Sequence, residues 1–338
     1  MTGSRLVLKR AQILAFRRHV GALNERLPPG PDSLRRAAWA GLQDSMPRAA
    51  LLSIHARVAG TEPSTWEDPS LVQLWGPRFN AYVVAARDHA IFSLSRLPDD
   101  SRGRRVAEDM ARRLNEFLGG QRMTDREVGR ALGVGNGIRY ATTTGTVAIR
   151  WEGARAPTVW TVQPPTMDSL DARLELARRY LHIFGPTTPE AFTKWAGVGP
   201  GQGNAAFDAL AGSLTPVRTP IGQGWILTSD EAAFRAAPAA APAARLLPSG
   251  DAYWLLHGAD RELMVPNAEH RGELWTPRVW PGALLVDTEI VGTWRRANQR
   301  LTIATWRLLA PAERAAVEAE AASLPLPGVQ GRIAIRWD

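Results

Sequence analysis

Apolar and polar positions alternate along this chain in two recurring rhythms. Over the first sixty residues the spacing predicts helices at about 9–27, 33–42 and 47–58. The stretch WAGLQDSMPRAALLSIHARVAG (39–60) breaks its helical pattern at one polar triplet, Gln43-Asp44-Ser45, followed closely by Pro47. Proline fits the first turn of a helix and disfavours helix in the residue before it. One helix therefore ends near Leu42 and the next begins near Pro47. The triplet then sits at a helix N-terminus, where free N–H groups and the dipole favour anions. Two readings stay open. Ser45 or Asp44 caps the helix, or the corner faces a nucleic acid and does chemistry on it.

Further along, one order repeats. A helix at 105–119 ends at Gly119-Gly120, and Thr124 with Glu127 three places on forms a capping box for a short helix reaching Leu132. A third helix near 136–142 precedes two period-two runs, TGTVAIRW (144–151) and TVWTVQ (158–163), joined by EGARAP. The same succession returns as helices at 170–184, from Pro186 to Trp195, and at 202–214, then a hairpin over 215–228 turning at Gly222-Gln223-Gly224. Three helices and a hairpin make the winged-helix arrangement. The first segment fits a third copy, with its wing near 75–78 and 80–84. Residues 232–245, AAFRAAPAAAPAAR, read as a semi-rigid Ala/Pro linker. Beyond it the pattern predicts strands at 252–257, 283–287, 290–296, 300–306 and 332–337 and a helix at 310–323. The expected class is α+β: three tandem winged-helix units (1–100, 101–166 and 167–231), the linker, and a small β-barrel-like domain (246–338).

Charge sharpens this picture. Forty-one basic and thirty-three acidic residues give a net charge of +8, and residues 1–60 carry ten basic side chains against three acidic ones. Such a concentration attracts phosphate backbones. An Arg-rich proteome is the competing explanation, since lysine occurs only at Lys9 and Lys194. There is no cysteine, which removes disulfides, thiolate metal sites and a thiol nucleophile. The six histidines (19, 55, 89, 182, 257 and 270) show no metal-ligand spacing, so neither metal nor cofactor is expected. GVGPGQGN (197–204) lacks the Lys-Ser/Thr of a phosphate loop. The N-terminus shows no signal-peptide core and no run spans a bilayer. A cytoplasmic, nucleoid-associated, monomeric protein is the expectation.

Taken together, GLQDSMPRAALLSIHARVAG (41–60), LWGPRFNAYVV (74–84), ARRYLHIFGPTTPEAFTKWAGV (177–198), RLLPSGDAYWLL (245–256) and VGTWRR (291–296) resemble the AlkZ/YcaQ-like winged-helix family of DNA glycosylases over most of the chain. The resemblance implies a concave, basic face for double-stranded DNA, alkylated DNA included, and excision of bulky purine adducts attached through guanine N7 or adenine N3. The family's catalytic signature is Gln-x-Gln or Gln-x-Asp. Here it falls on Gln43-Asp44-Ser45, with Ser45 in the third position and a carboxylate one place early.

Glycosidic hydrolysis passes through an oxocarbenium-like transition state. An N7-alkylated purine is already cationic and leaves without a general acid. The enzyme must position a water and supply negative potential beside the sugar. The expectation is that Gln43 orients the water and Asp44 supplies the charge, with Ser45 binding a phosphate or capping the helix. Arg48 and Arg57 are expected at phosphates. His55 is a structural or a phosphate-contacting residue. Arg78 contacts backbone from the wing or caps a turn. Arg139 lies with Tyr140 on the third helix of the second unit, and Gln223 tips the last hairpin into a groove or merely suits a tight turn. Two non-enzymatic readings remain: a DNA-binding regulator or damage sensor that lost the signature, and a protein-interaction module.

Overall fold

A computed structural model describes residues 6–46, 48–153, 155–236, 243–328 and 333–338. Pro47, the middle of the Ala/Pro linker (237–242) and the start of the last expected strand lie outside the described residues. The chain is a mixed α+β structure with a three-, a five- and a six-stranded sheet.

The first segment opens with a helix, Arg10–Val20, whose Ile13, Leu14 and Phe16 are buried. A second, Pro31–Ala37, carries proline in its first turn. It stops well short of Leu42. Gly41 sits at φ +73°, and a Cβ there would lie 2.9 Å from the rings of Phe92 and Tyr82. The close approach turns the chain into extended backbone instead. Leu42–Gln43 thus form a short strand against Val83 and Tyr82. The next helix, Ala49–His55, follows Arg48, itself in the left-handed region at φ 64°.

The first hairpin pairs Leu71–Trp75 with Ala81–Ala85; its second limb matches the expected 80–84, while the expected first limb at 75–78 is mostly the turn. Its glycine-proline turn carries two consecutive left-handed residues, Arg78 and Phe79. This hairpin does not stand alone. Gln73 pairs with Ile149, so the hairpin Val147–Arg150/Thr158–Thr161 extends the same sheet. Helix Ser101–Leu118 supplies Met110, Leu114 and Leu118 to the core beneath that second hairpin. Thr124 and Glu127 make both bonds of the capping box before the helix Asp125–Ala131. The expected helix near 136–142 is a 3-10 helix, Gly135–Thr144. Two glycines and three successive threonines oppose a regular α-helix there.

Helices Ser169–Phe184, Pro189–Ala196 and Pro200–Ala209 precede the hairpin Leu214–Thr219/Gly222–Leu227. Its outer neighbour is Leu6–Val7, which pairs in parallel with Val217 and Arg218. The first described residues therefore complete a sheet made some 210 positions later.

After the linker, the sheet runs Ala244–Leu247, Gly282–Val286, Glu289–Ala297, Arg300–Thr305 and Ala334–Trp337, the last pair parallel. Helix Pro311–Ala322 packs on it through Val317 and Ala321. Two expectations are corrected. Residues 231–236 are helix and 244–247 are strand, so the Ala/Pro segment is structured at both described ends. Residues 252–257 are not a strand. Asp251 accepts the Tyr253 N–H through its carboxylate and those of Trp254 and Leu255 through its carbonyl. These local bonds hold a turn. The turn buries Tyr253, Trp254, Leu255 and Leu256 in the main core beside Phe16 and Phe184. Among the described residues no helix is long and apolar enough to cross a membrane.

Candidate functional site

Gln43 occupies the edge strand Leu42–Gln43, half-buried. Its side-chain oxygen accepts from Arg78 Nη2 at 3.2 Å and from the Tyr82 hydroxyl at 3.3 Å. Burial pushes the Tyr82 phenol up to about 12, so it stays neutral and able to donate. Arg78 also reaches His257 Nε2 at 3.0 Å. Burial, then the charges of Arg78, Arg261 and Lys194, bring His257 down to about 4. A neutral imidazole is what a guanidinium donor requires. Gly250, at φ +75°, leans on the same amide: a Cβ there would lie 3.1 Å from Gln43 Nε2. Three distant pieces of chain, the edge strand, the turn 76–80 and the segment 250–257, thus converge on one amide. Its oxygen faces donors, and its NH2 group lies beside Gly250.

Asp44 is placed differently. Its carboxylate is 1 % exposed, accepts the Ala50 N–H at 3.0 Å and accepts from Gln73 Nε2 at 2.6 Å. It therefore caps the first turn of helix Ala49–His55, as the capping reading allowed for Asp44 or Ser45. Gln73 passes the linkage on, its oxygen accepting the Trp151 N–H at 2.7 Å. Burial is the main influence on Asp44 and raises its carboxyl to about 6, against the lowering effects of the Ala50 amide and Arg48. Gln43 and Asp44, expected to act together, have separate surroundings. Adjacent residues in extended chain send their side chains to opposite faces, and these two share no hydrogen-bond partner. Asp44 positions the loop rather than facing the same space as Gln43.

Ser45 is exposed at the rim. Arg48 lies half-buried over the Trp66 ring, 3.5 Å from its centroid, with Arg150 at 3.5 Å as well. Arg48 Nη1 is buried without a hydrogen bond among the described residues. Arg57, expected at a phosphate, and His55, for which a structural role was the other reading, both lie in the interior. Arg57 is 2 % exposed and binds Asp251 with two nitrogens at 2.7 and 2.8 Å. His55 is buried between Arg26 and Ser323, and burial with Arg26 and Arg245 lowers it to about 3. Both side chains join helix Ala49–His55 to the C-terminal third of the chain, and neither faces solvent. Arg139 lies 5.5 Å from the Trp75 ring centroid and 3.9 Å from Asp125. Gln223 is exposed beside Lys194, His257 and Asp260 in a pocket of about 220 Å³.

Sequence reading missed Gln73, Tyr82, His257 and Gly250. Tyr82 stands within LWGPRFNAYVV, and Gly250 and His257 in or beside RLLPSGDAYWLL, two of the stretches that carried the family resemblance. A lone Gln in an apolar strand was the only signal for Gln73. A cleft of about 380 Å³ opens beside Met46 and Ala49, lined by Trp280, Trp294, Arg295 and Arg296. Among the described residues no three acidic or histidine side chains converge as metal ligands.

A family model described as "DNA glycosylase AlkZ-like" matches residues 36–325. Among solved structures, the chain is similar to the Streptomyces sahachiroi DNA glycosylase AlkZ, with 21% sequence identity and a TM-score of 0.79 over 98% of this chain and 100% of that one. No curated protein sequence matches it significantly.

Proposed function

Since this chain belongs to the AlkZ-like DNA glycosylase family, we propose that it binds double-stranded DNA and hydrolyses the N-glycosidic bond of bulky or N7/N3-alkylated purines. Water adds to the sugar C1′ as the C1′–N bond breaks. An N7-alkylated base carries the bonding pair away as a neutral purine, and the proton lost by the water goes to solvent. One observation carries the reading. Gln43, the signature glutamine, is oriented by Arg78 and Tyr82, and among the described residues its NH2 group has no hydrogen-bond acceptor, in the most basic stretch of the chain. An amide fixed this way donates to a water and pins its position at little reorganisation cost. The three sets of helices and hairpins are read as winged-helix units at 1–100, 101–166 and 167–231, followed by a β-rich unit at 246–338. We take them to face one duplex as a monomer. Ser45, Arg48, Arg78, Arg139 and Gln223 are the DNA contacts in this reading, and nucleoid association follows from it.

The test is release of free base from a duplex carrying N7-alkylguanine. Wild type should release base, and Gln43→Ala should lose about 10²-fold in rate, the scale for one preorganised polar group. Equal background rates in both proteins would sink the catalytic reading. A second reading has its own support. Asp44 is turned away from Gln43 and Ser45 holds the third signature position. A non-catalytic DNA binder would then show salt-sensitive binding without base release.

A further inference from the structure

The turn 76–80 has a second side. Arg78 and Phe79 are consecutive and both left-handed, at φ 55° and 58°, a conformation that non-glycine residues adopt at a cost and that clusters at functional sites. The two side chains have separate surroundings. Arg78 turns to Gln43 and His257, whereas Phe79 turns into a cleft of about 740 Å³ between the wing, the start of helix Ser101–Leu118, the 3-10 helix and Gly197–Gln202. Phe79 meets Tyr140 edge-on, with ring centroids 5.5 Å apart. Tyr140 is 51 % exposed and Val106 45 %, so the cleft presents apolar and aromatic surface to solvent.

Its floor is a cation. Arg96 is 5 % exposed and lines the cleft. Its Nε and Nη2 donate to the Phe92 and Trp75 carbonyls, and its guanidinium lies 4.9 Å from the Phe79 ring centroid. Among the described residues no carboxylate pairs with it, and Nη1 has no hydrogen bond. Burial lowers it to about 9, which still leaves it charged at neutral pH. A buried, unpaired charge is costly, and an anion from outside would relieve that cost. The two rim carboxylates do not: Asp99 is held by Arg173 and Asp100 caps Gly103. Arg102 adds an exposed cation at the mouth.

We propose that this cleft receives a single nucleotide lifted out of the duplex, its base against Tyr140 and Phe79 and its phosphate on Arg96 and Arg102. Aromatic faces hold any base by stacking, and guanidinium groups hold phosphate oxygens. The site would lie one residue along the turn from Arg78, so strand distortion and the Gln43 amide would be coupled through a rigid link. The inference rests on the proposal that the protein binds DNA.

The experiment compares a fully paired duplex with the same duplex bearing one unpaired nucleotide, by fluorescence anisotropy at low salt. An unpaired nucleotide costs least to extrude. Wild type should prefer the bulged duplex. Tyr140→Ala should erase that preference, weakening the bulged duplex by about tenfold while leaving the paired duplex unchanged. Arg102→Ala should weaken the bulged duplex and lower its salt slope by about one. Both residues are exposed, so the test does not depend on a folded Arg96→Met variant. Equal affinity of wild type for the two duplexes, or a preference surviving in Tyr140→Ala, would overturn this inference and leave DNA binding intact. Failure to bind either duplex would overturn both.

Discussion

Replacing Asp251 with Asn should unfold this protein at markedly lower denaturant while the double replacement Arg57→Met/Asp251→Leu should not. The Asp251 carboxylate is fully enclosed, with side-chain exposures of 3 % for Arg57 and 0 % for Asp251. It accepts two bonds from Arg57, one from the Ser53 hydroxyl at 2.6 Å and one from the Tyr253 N–H. Asparagine keeps one acceptor oxygen but leaves the guanidinium buried and uncompensated. Removing one member of a buried pair costs about 3–5 kcal/mol, whereas exchanging both for apolar residues of similar volume is often near neutral. The single variant should therefore lose about 4–7 °C in Tm, and the double variant should recover most of it. The assay is urea unfolding followed by tryptophan fluorescence, with Trp254 buried three residues from the lesion. The m-value should stay constant. The pair also ties helix Ala49–His55 to the segment that carries Gly250 and His257 against Gln43 and Arg78, so any base-release activity should fall in the single variant beyond its loss of folded fraction. A cost below about 1 kcal/mol for Asp251→Asn, or strictly additive losses in the double variant, would refute the account of this pair.

Gly250→Ala should cost about 1 kcal/mol for placing a side chain in the left-handed region, and its Cβ would crowd the Gln43 amide at 3.1 Å. Base release should drop more than the fraction folded, as measured by activity beside a melting curve. His55 is held down to about 3, so the unfolded chain takes up a proton below about pH 6.5 that the folded chain refuses. Stability should fall as pH drops from 6.5 toward 3, and His55→Phe should flatten that limb of a denaturation series. Asp44 has the opposite sign. Its carboxyl is raised to about 6 from 3.8, so folding favours the protonated form. Its contribution should become less favourable as pH rises from about 4 to 6, by up to about 3 kcal/mol. Wild type and Asp44→Asn should diverge across that window, and parallel curves would contradict the burial assigned to Asp44.

Local signals carried much of the fold. Thr124 and Glu127 announce a helix start because both capping bonds lie within four residues. The runs at 283–287, 290–296 and 300–306 announce strands because they pair with sequence neighbours. Local signals misled where a competing bond was also local but unrecognised. The apolar run after Asp251 reads as a strand, yet the aspartate's own turn bonds hold it. Leu42 reads as the end of a helix, but Gly41 packs against Phe92 and Tyr82 and turns the backbone into the sheet.

By itself the sequence determined the mixed α+β class, the recurrence of helices and hairpins, the basic N-terminal stretch and Gln43 as the residue to examine. Each of these is written in spacing or composition over a few dozen residues. Tertiary structure alone decided which partners each arginine meets. Arg57 and Arg78 look equivalent in sequence, but one meets Asp251 almost two hundred positions away and is buried, whereas the other meets Gln43 and His257. It also decided that Asp44 and Gln43 part company, because strand geometry sends neighbours to opposite faces. A side chain's chemistry depends on what folding brings beside it, and for this site those partners come from Gln73, Tyr82, Gly250 and His257.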